Sequence, residues 1–505
     1  MPAQSVADLR FIYPELVLAG AIFAILFFDL AGRGDRSRGC ATIALAGLVG
    51  AGVLAARDFL LCRGAHPAIE PHAIFSGLLA FDPFAAGMKV FFAMACALIV
   101  VFSIPTEEAG GGSAKGRGAG EFYGLFLCIV LGLYLMAGAR NLLMLYLSLE
   151  LVSVISFVMA GFRTEDHKSG EAALKYVIFG GASSGVMLYG MSWLFGATGS
   201  LDLGEIAAAL ATTDSKAAVF VGVLGVLAGF GYKISAVPFH MWAPDVYEGA
   251  PTAITAFLSV GPKAAGFAMM LRFFTQALGA NAEVVPLDLP WPLVGGILAA
   301  VTMTVGNLTA LGQNNVKRML AYSSVAHAGY ILMGFSVFDD LGMRSMLFYI
   351  TVYCFMNLGA FLVVMAVAER TGSERIEAFR GLGRRAPLLA AAMAIFLFSL
   401  TGLPPMAGFI GKFYLFVALL EKGGTGYALL AVIGALNSVV ALFYYARVLK
   451  AMYLRNAAEP EAEGPVPVRP LYGATLAALV VPTVVLGLYW MPVFALVGES
   501  LNFAR

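Results

Sequence analysis

Charge is scarce in this chain. Of its 505 residues only 12% are Asp, Glu, Lys or Arg, about half the share of an ordinary soluble domain, and 60% are hydrophobic. That scarcity excludes a soluble enzyme. The few charges nearly balance, 32 basic against 31 acidic, so no broad cationic surface is left for nucleic acid. Cysteine is sparse too: Cys40, Cys62, Cys96, Cys128 and Cys354 show no C-x-x-C spacing and lie mostly in apolar runs, which reads as small core residues rather than metal ligands or disulfides. No P-loop occurs. The G-x-G-x-G string at Gly116, Gly118 and Gly120 follows no strand and opens no nucleotide-binding helix, so it reads as a loop between spans. No site for flavin, nicotinamide, ATP or an iron–sulfur cluster is visible, and electrons of any coupled redox reaction would travel elsewhere.

What the chain has is apolar length. Stretches of about 20 residues suffice to cross the hydrocarbon of a bilayer. Such spans fall near 11 to 31, 40 to 62, 79 to 104, 121 to 138, 141 to 162, 171 to 196, 216 to 243, 251 to 278, 291 to 312, 318 to 338, 344 to 368, 387 to 419, 425 to 451 and 471 to 497. The expectation is an all-α polytopic membrane protein of 14 transmembrane helices, with no soluble domain between spans. A mean hydropathy of +0.85 and 58 glycines fit close-packed membrane helices. The first run lacks a basic start and a small-residue cleavage site, and reads as a retained helix. Basic residues divide 18 to 9 between the two sets of loops. The positive-inside rule then places the richer set, which includes 371 to 386, in the cytoplasm and both termini outside.

The five basic residues left over, Lys89, Lys175, Lys233, Lys263 and Lys412, fall inside spans, together with Glu150, His240 and His327. A lysine at a helix centre costs roughly 2.5 to 3.5 kcal/mol on insertion scales, so several together call for a common reason. Lys89 and Lys175 lie where snorkelling to the interface is an equal alternative; Lys233, Lys263 and Lys412 do not. Lys233 precedes Pro238 in KISAVPFHMWAPDVYEGAPT, and Lys412 follows Pro404 and Pro405 in LTGLPPMAGFIGKFYLF. Proline inside a membrane helix frees backbone groups that only protein or internal water can satisfy. Spans seven and twelve are therefore expected to be broken helices with a buried charge beside each break, a common design of ion-coupled transporters. Five spans apart, they enter from opposite sides. This suggests two inverted five-helix repeats, 121–278 and 291–451, flanked by 1–120 and by 452–505. Two unrelated proline kinks are the alternative.

A lysine in low dielectric changes its proton affinity when a carboxylate moves toward or away from it. Lys, Glu, His and the Tyr and Ser hydroxyls of YSSVAHAGY can thus form a proton relay without metal. Metal binding by His240 and His327 is the poorer reading, since no acidic or thiol cluster accompanies them.

The strings KISAVPFHMWAPDVYEGAPTAITAFLSVGPKAAGF, LGQNNVKRMLAYSSVAHAGYILMGF and LTGLPPMAGFIGKFYLF resemble the antiporter-like membrane subunits of bacterial proton-pumping NADH:quinone oxidoreductase, respiratory complex I, in their N-type form. The related L and M types and the cation/proton antiporters share the Lys, Pro, Trp and Pro-Asp skeleton but differ in the segment after it. Lys rather than Glu at 412 and the lack of a long lateral C-terminal helix also point away from those two types. By position, the resemblance implies that Glu150 pairs with Lys233 and that Lys233, Lys263 and Lys412 form the proton path, with Lys175, His240 and His327 as supporting polar residues. Lys89 and the glycine-rich 109–120 loop receive no role. NADH, FMN, iron–sulfur clusters and quinone are implied in partner subunits, none of them in this chain, and the partners would include the L and M types and small membrane subunits. The implied location is the bacterial inner membrane. Two rivals remain at this point: a Na⁺ or K⁺/proton antiporter, disfavoured because Glu150 is the only clearly intramembrane carboxylate, and a structural scaffold with statically paired lysines. A relay further requires the three lysines to form a row near the midplane with Lys263 in the middle.

Overall fold

The computed structural model describes residues 7–31, 36–64, 66–104, 118–213, 215–279, 291–456 and 469–503. Gly116 and most of the 109–120 loop lie outside these residues. Among them, thirteen helices are long and apolar enough to cross a membrane. The helices are α1 (Tyr13–Leu30), α2 (Ser37–Cys62), α3 (Pro83–Ser103), α4 (Ala119–Gly138), α5 (Leu142–Ala160), α6 (His167–Thr198), α7 (Leu203–Leu210), α8 (Lys216–Ile234), α9 (Trp242–Gly249) and α10 (Thr252–Ala277). They continue with α11 (Trp291–Leu311), α12 (Val316–Val337), α13 (Asp340–Thr371), α14 (Pro387–Thr401), α15 (Ala407–Lys422), α16 (Thr425–Leu454), α17 (Pro470–Leu488) and α18 (Met491–Ser500). The architecture is all-α and polytopic.

Small residues decide which helices sit at the centre. α10, whose sequence alternates Ala, Gly and Ser with Phe, Met and Leu, is buried along its whole length, and α12 and α13 nearly so, whereas α16 turns most of its apolar surface outward. A helix buried all round can hold polar groups away from lipid. α10 carries Lys263 and α12 carries His327.

Two expected spans are not continuous helices. α8 stops at Ile234 and α9 begins at Trp242, with Pro238 between. The backbone groups freed there find partners inside the protein: Ala236 N–H donates to Gly231 O (2.7 Å), Trp242 Nε1 to Tyr232 O (3.0 Å), and Val237 N–H to Thr302 Oγ1 of α11 (3.1 Å). The run 387 to 419 is two helices, α14 and α15, separated by Gly402 to Met406. Gly402 takes φ +90°, which ends α14 where a side chain would be strained and would meet the stem of Lys412. Proline accounts for both gaps, since it donates no backbone hydrogen bond and disfavours helix in the residue before it.

Three features depart from expectation. A two-stranded hairpin, β1 (His72–Ile74) and β2 (Leu79–Phe81), turns through Phe75, Ser76 and Gly77 at positive φ and ties onto the α4–α5 connection, where Arg140 N–H donates to Leu78 O (3.1 Å). The last span, expected over 471 to 497, is α17 followed by the separate helix α18. Finally, Glu150 is not the only carboxylate within a span: Glu15 of α1 and Asp58 of α2 are both buried. Their surroundings explain Lys89, whose amine meets Glu15 Oε1 at 2.6 Å in the interface of the three N-terminal helices.

A buried cationic axis as candidate functional site

Lys233, Lys263 and Lys412 are each under 5% exposed. Their amines are accommodated in three different ways. Lys233 lies in the last turn of α8, at the negative end of a half-helix. Its Nζ donates to Ser153 Oγ of α5 (3.0 Å), and its stem packs so closely on α10 that a Cβ at Gly266 would come within 3.2 Å of it. Lys263 Nζ donates to Ser324 Oγ of α12 (2.7 Å) and stands 5.7 Å from the centre of the Tyr247 ring. Lys412, on α15, sends its amine back to the end of α14, donating to Leu400 O (3.2 Å) and Thr401 O (2.9 Å), and to Ser438 Oγ of α16 (3.2 Å). The last carbonyls of a helix lack intrahelical partners, so an ammonium there satisfies them and the helix dipole together. Lys412 also lies 4.1 Å from the Tyr330 ring centre, a cation–π contact.

Beyond Lys263 the polar groups run on through the interior. Ser324, Lys263, Ser259 and His327 line a small cavity of about 10 Å³, near the least that holds one water. His327 is 2% exposed; its Nδ1 meets Tyr349 Oη at 2.7 Å and its Nε2 meets Tyr445 Oη at 3.4 Å. Tyr445 Oη meets Ser323 Oγ (2.5 Å), and its ring packs on that of Tyr444 with centres 4.3 Å apart. Tyr444 donates to Asn307 Oδ1 (3.0 Å), Asn307 Nδ2 reaches Tyr330 Oη (3.5 Å), and Tyr330 meets Ser438 Oγ (3.2 Å), which receives Lys412. Side chains of α10, α12, α11, α16 and α15 thus connect Lys263 to Lys412. By these contacts Lys263 lies between Lys233, which it neighbours through Gly266, and Lys412.

The expected Glu150–Lys233 pair requires correction. No ion pair joins them; Lys233 bonds Ser153, one turn beyond Glu150. Glu150 is half-buried, and its Oε1 is buried without a protein hydrogen-bond partner. The helical spacing of 150 and 153 puts both on one side of α5, and the shorter Ser side chain fits directly against the amine.

Lys175 does not join the axis. It is partly exposed and pairs with Glu171 (2.6 Å) and with Asp245 of α9 (2.7 Å). Arg318 at the start of α12 meets Asp245 (2.5 Å) and Glu248 (3.0 Å), and Lys168 meets Glu248 (2.9 Å). Burial disfavours the charged form of Asp245 and Glu248, yet the cations around them prevail and hold both below the usual carboxylate range. This cluster borders a polar vestibule of about 780 Å³ that includes Thr252, Asn315 and Glu374. Lys317 is buried at its edge, bonded to Glu374 (2.9 Å) and Ala250 O (2.9 Å). His240 sits half-buried in the α8–α9 gap, with Nδ1 unpartnered by protein.

Two basic residues assigned to loops from hydropathy are thus interior: Lys317, and Arg272 near the end of α10. Arg272 is fully buried and grips Asp82 with two bonds (2.7 and 3.0 Å), while its Nε donates to Ala137 O (3.1 Å). Sequence reasoning also missed Ser153, Tyr445, Ser438 and Asn307. Ser153 was visible as the i+3 neighbour of Glu150; the other three lie in no motif.

Interrupted helices meeting around buried cations, with hydroxyls and one imidazole between them, define an antiporter-like membrane subunit. The family model for NADH:quinone oxidoreductase/Mrp antiporter transmembrane regions matches residues 139–439. The chain is 57% identical over 509 aligned residues to NADH-quinone oxidoreductase subunit N 2 of Sorangium cellulosum (strain So ce56), covering 99% of each. Among solved structures it is similar to a chain of respiratory complex I from Thermus thermophilus with bound aureothin, at 31% identity and TM-score 0.76, covering 95% of this chain and 98% of that one. A chain of the Mrp complex from Dietzia sp. DQ12-45-1b shares the fold, with TM-score 0.81 at 21% identity and 97% of each chain covered. The protein belongs to the subunit N family of NADH-quinone oxidoreductase. It is accordingly a multi-pass, proton-translocating membrane subunit of that oxidoreductase.

Proposed function

We propose that protons cross this subunit through Lys233, Lys263, His327 and Lys412, with Glu150 governing Lys233. The observation that carries this reading is the succession of side-chain contacts from Lys263 to Lys412 through the protein interior. Ser153, Ser324, Tyr445 and Ser438 are the hydroxyls that touch its members. The polar vestibule at Glu374 is the mouth for uptake. From it Thr252 and Ser259 lead along one face of α10 toward Lys263, and Lys175 belongs to the charged rim of that mouth. His240 supports the path from the α8–α9 gap, and Glu150 modulates Lys233 by its charge rather than by a direct bond.

Moving a proton against the membrane potential costs about 2.3 kcal/mol per 100 mV, so the path must be driven from outside the chain. NADH oxidation and quinone reduction in partner subunits supply that energy, with FMN and iron–sulfur clusters there and no redox centre here. Antiporter-like L and M types and small membrane subunits are the partners. α4–α10 and α11–α16 form two inverted repeats, with α8–α9 and α14–α15 as corresponding broken members. The location is the bacterial inner membrane with both termini periplasmic, supported by the 18 to 9 division of basic residues, although Arg272 and Lys317 are interior.

Lys412→Ala tests the path in membrane vesicles. NADH oxidation should persist at a reduced rate while the proton gradient formed per NADH drops severely; normal pumping would return the chain to a scaffold. Exchange of Na⁺ or K⁺ for protons by the isolated chain in liposomes would favour the antiporter.

A further inference from the structure

The chain of contacts from His327 to Lys412 has one member of a different chemical kind. A hydroxyl, an imidazole or a carboxylic acid can accept a proton at one atom or lone pair and release one elsewhere, which lets a proton move along a row of them. A carboxamide has an acceptor oxygen and a donor nitrogen with fixed roles, and a proton passing through it would leave an imidic acid behind. Asn307 is such a group, fully buried, between Tyr444 and Tyr330.

Its orientation is fixed by a second amide. Asn437 Nδ2 is committed to Thr304 Oγ1 (3.1 Å) and Ile433 O (3.0 Å), so Asn437 presents its oxygen to Asn307 Nδ2 (3.1 Å). Turning Asn307 over would set its oxygen against the oxygen of Asn437, two acceptors with no hydrogen between them. In the fixed orientation Tyr444 points its hydroxyl hydrogen at Asn307, and Tyr330 accepts both from Asn307 and from Ser438. The hydrogen bonds are continuous through this point; the route for a proton is not. Gly306 beside it brings α11 against the backbone of α12, where a Cβ would lie 2.6 Å from Ala326 N.

We infer that Asn307, held by Asn437, is an insulating positioning residue that separates the His327–Tyr445–Tyr444 group from the Tyr330–Ser438–Lys412 group. This rests on the relay proposed above and adds to it a block against return. A proton on Lys412 cannot run back to His327 along side chains while the amide is in place, and transfer between the two groups requires α11 or α16 to shift.

The test replaces the amide by a group that conducts. Asn307→Asp offers a carboxyl able to accept from one neighbour and release to the other. In vesicles containing the intact complex, NADH oxidation should persist while the proton gradient per NADH falls to about half and decays faster once NADH is exhausted. Asn307→Leu, branched at the same carbon but without polar atoms, should show the wild-type decay rate. Should the Asp variant fail to assemble, Asn307→Ser supplies a hydroxyl and should shift both readouts in the same direction. Wild-type gradient and decay in the conducting variant that assembles, or equally fast decay in Asn307→Leu, would overturn the inference. Lys412→Ala measured in parallel separates the two levels: if it pumps normally the relay itself is wrong, and if it fails to pump while the conducting variant stays tight, only the role of Asn307 is lost.

Discussion

A buried ammonium is tolerated only where hydrogen bonds and nearby charge replace water, and the lysines of this chain divide by how that is done. Lys89 has a full counter-charge in Glu15 at 2.6 Å, a static pair that accounts for it without transport. Lys233, Lys263 and Lys412 have hydroxyls and carbonyls and no ion pair among the described residues. Neutral partners leave their charge adjustable, because losing the proton strands no carboxylate. Glu150 lies one turn from Ser153, the partner of Lys233, without bonding the amine itself. Glu150→Gln should therefore lower proton pumping while the complex still assembles, and Glu150→Asp should be milder; dye quenching per NADH oxidised, beside the amount of complex in the membrane, measures both. Disappearance of the complex in the Gln variant would make Glu150 structural.

Among elements, α10 joins the parts. One end of it meets the vestibule through Thr252, its middle carries Lys263, and near its other end Arg272 holds Asp82, the N-cap of α3, in a pair with no solvent exposure. Removing one member of such a pair leaves the other charge buried and uncompensated, at a cost of about 3 to 5 kcal/mol. Asp82→Asn should accordingly lower the melting temperature of the detergent-purified complex, whereas the paired change Asp82→Leu with Arg272→Met should recover much of the loss. A melting temperature unchanged by Asp82→Asn would mean that hydrophobic packing alone attaches the N-terminal helices.

At the scale of the molecule, the segments 163–168, 314–318 and 372–375 converge on one vestibule, so these loops share a face. In the proposed orientation that face is the cytoplasmic one, as the positive-inside rule would have it. Single cysteines placed within 371–386 should react with membrane-impermeant maleimide only from the cytoplasmic side of oriented vesicles, and labelling from the opposite side would invert the topology.

The amino-acid sequence by itself determined the membrane class, the positions of the helices and the prolines that interrupt two of them, because hydropathy and missing backbone donors act locally. It also carried the family, through strings around Lys233, His327 and Lys412. Loop assignments for Arg272 and Lys317 failed for a physical reason: hydropathy scores a charge as exposed, and only packing supplies the carboxylates that let it be interior. The partners of the lysines were likewise out of reach. Ser324 meets Lys263 across 61 positions and Asn437 meets Asn307 across 130. Serine, tyrosine and asparagine are ordinary residues of a membrane helix until packing sets which of them face one another. Which polar side chains face one another across the interior was decided by the tertiary structure alone.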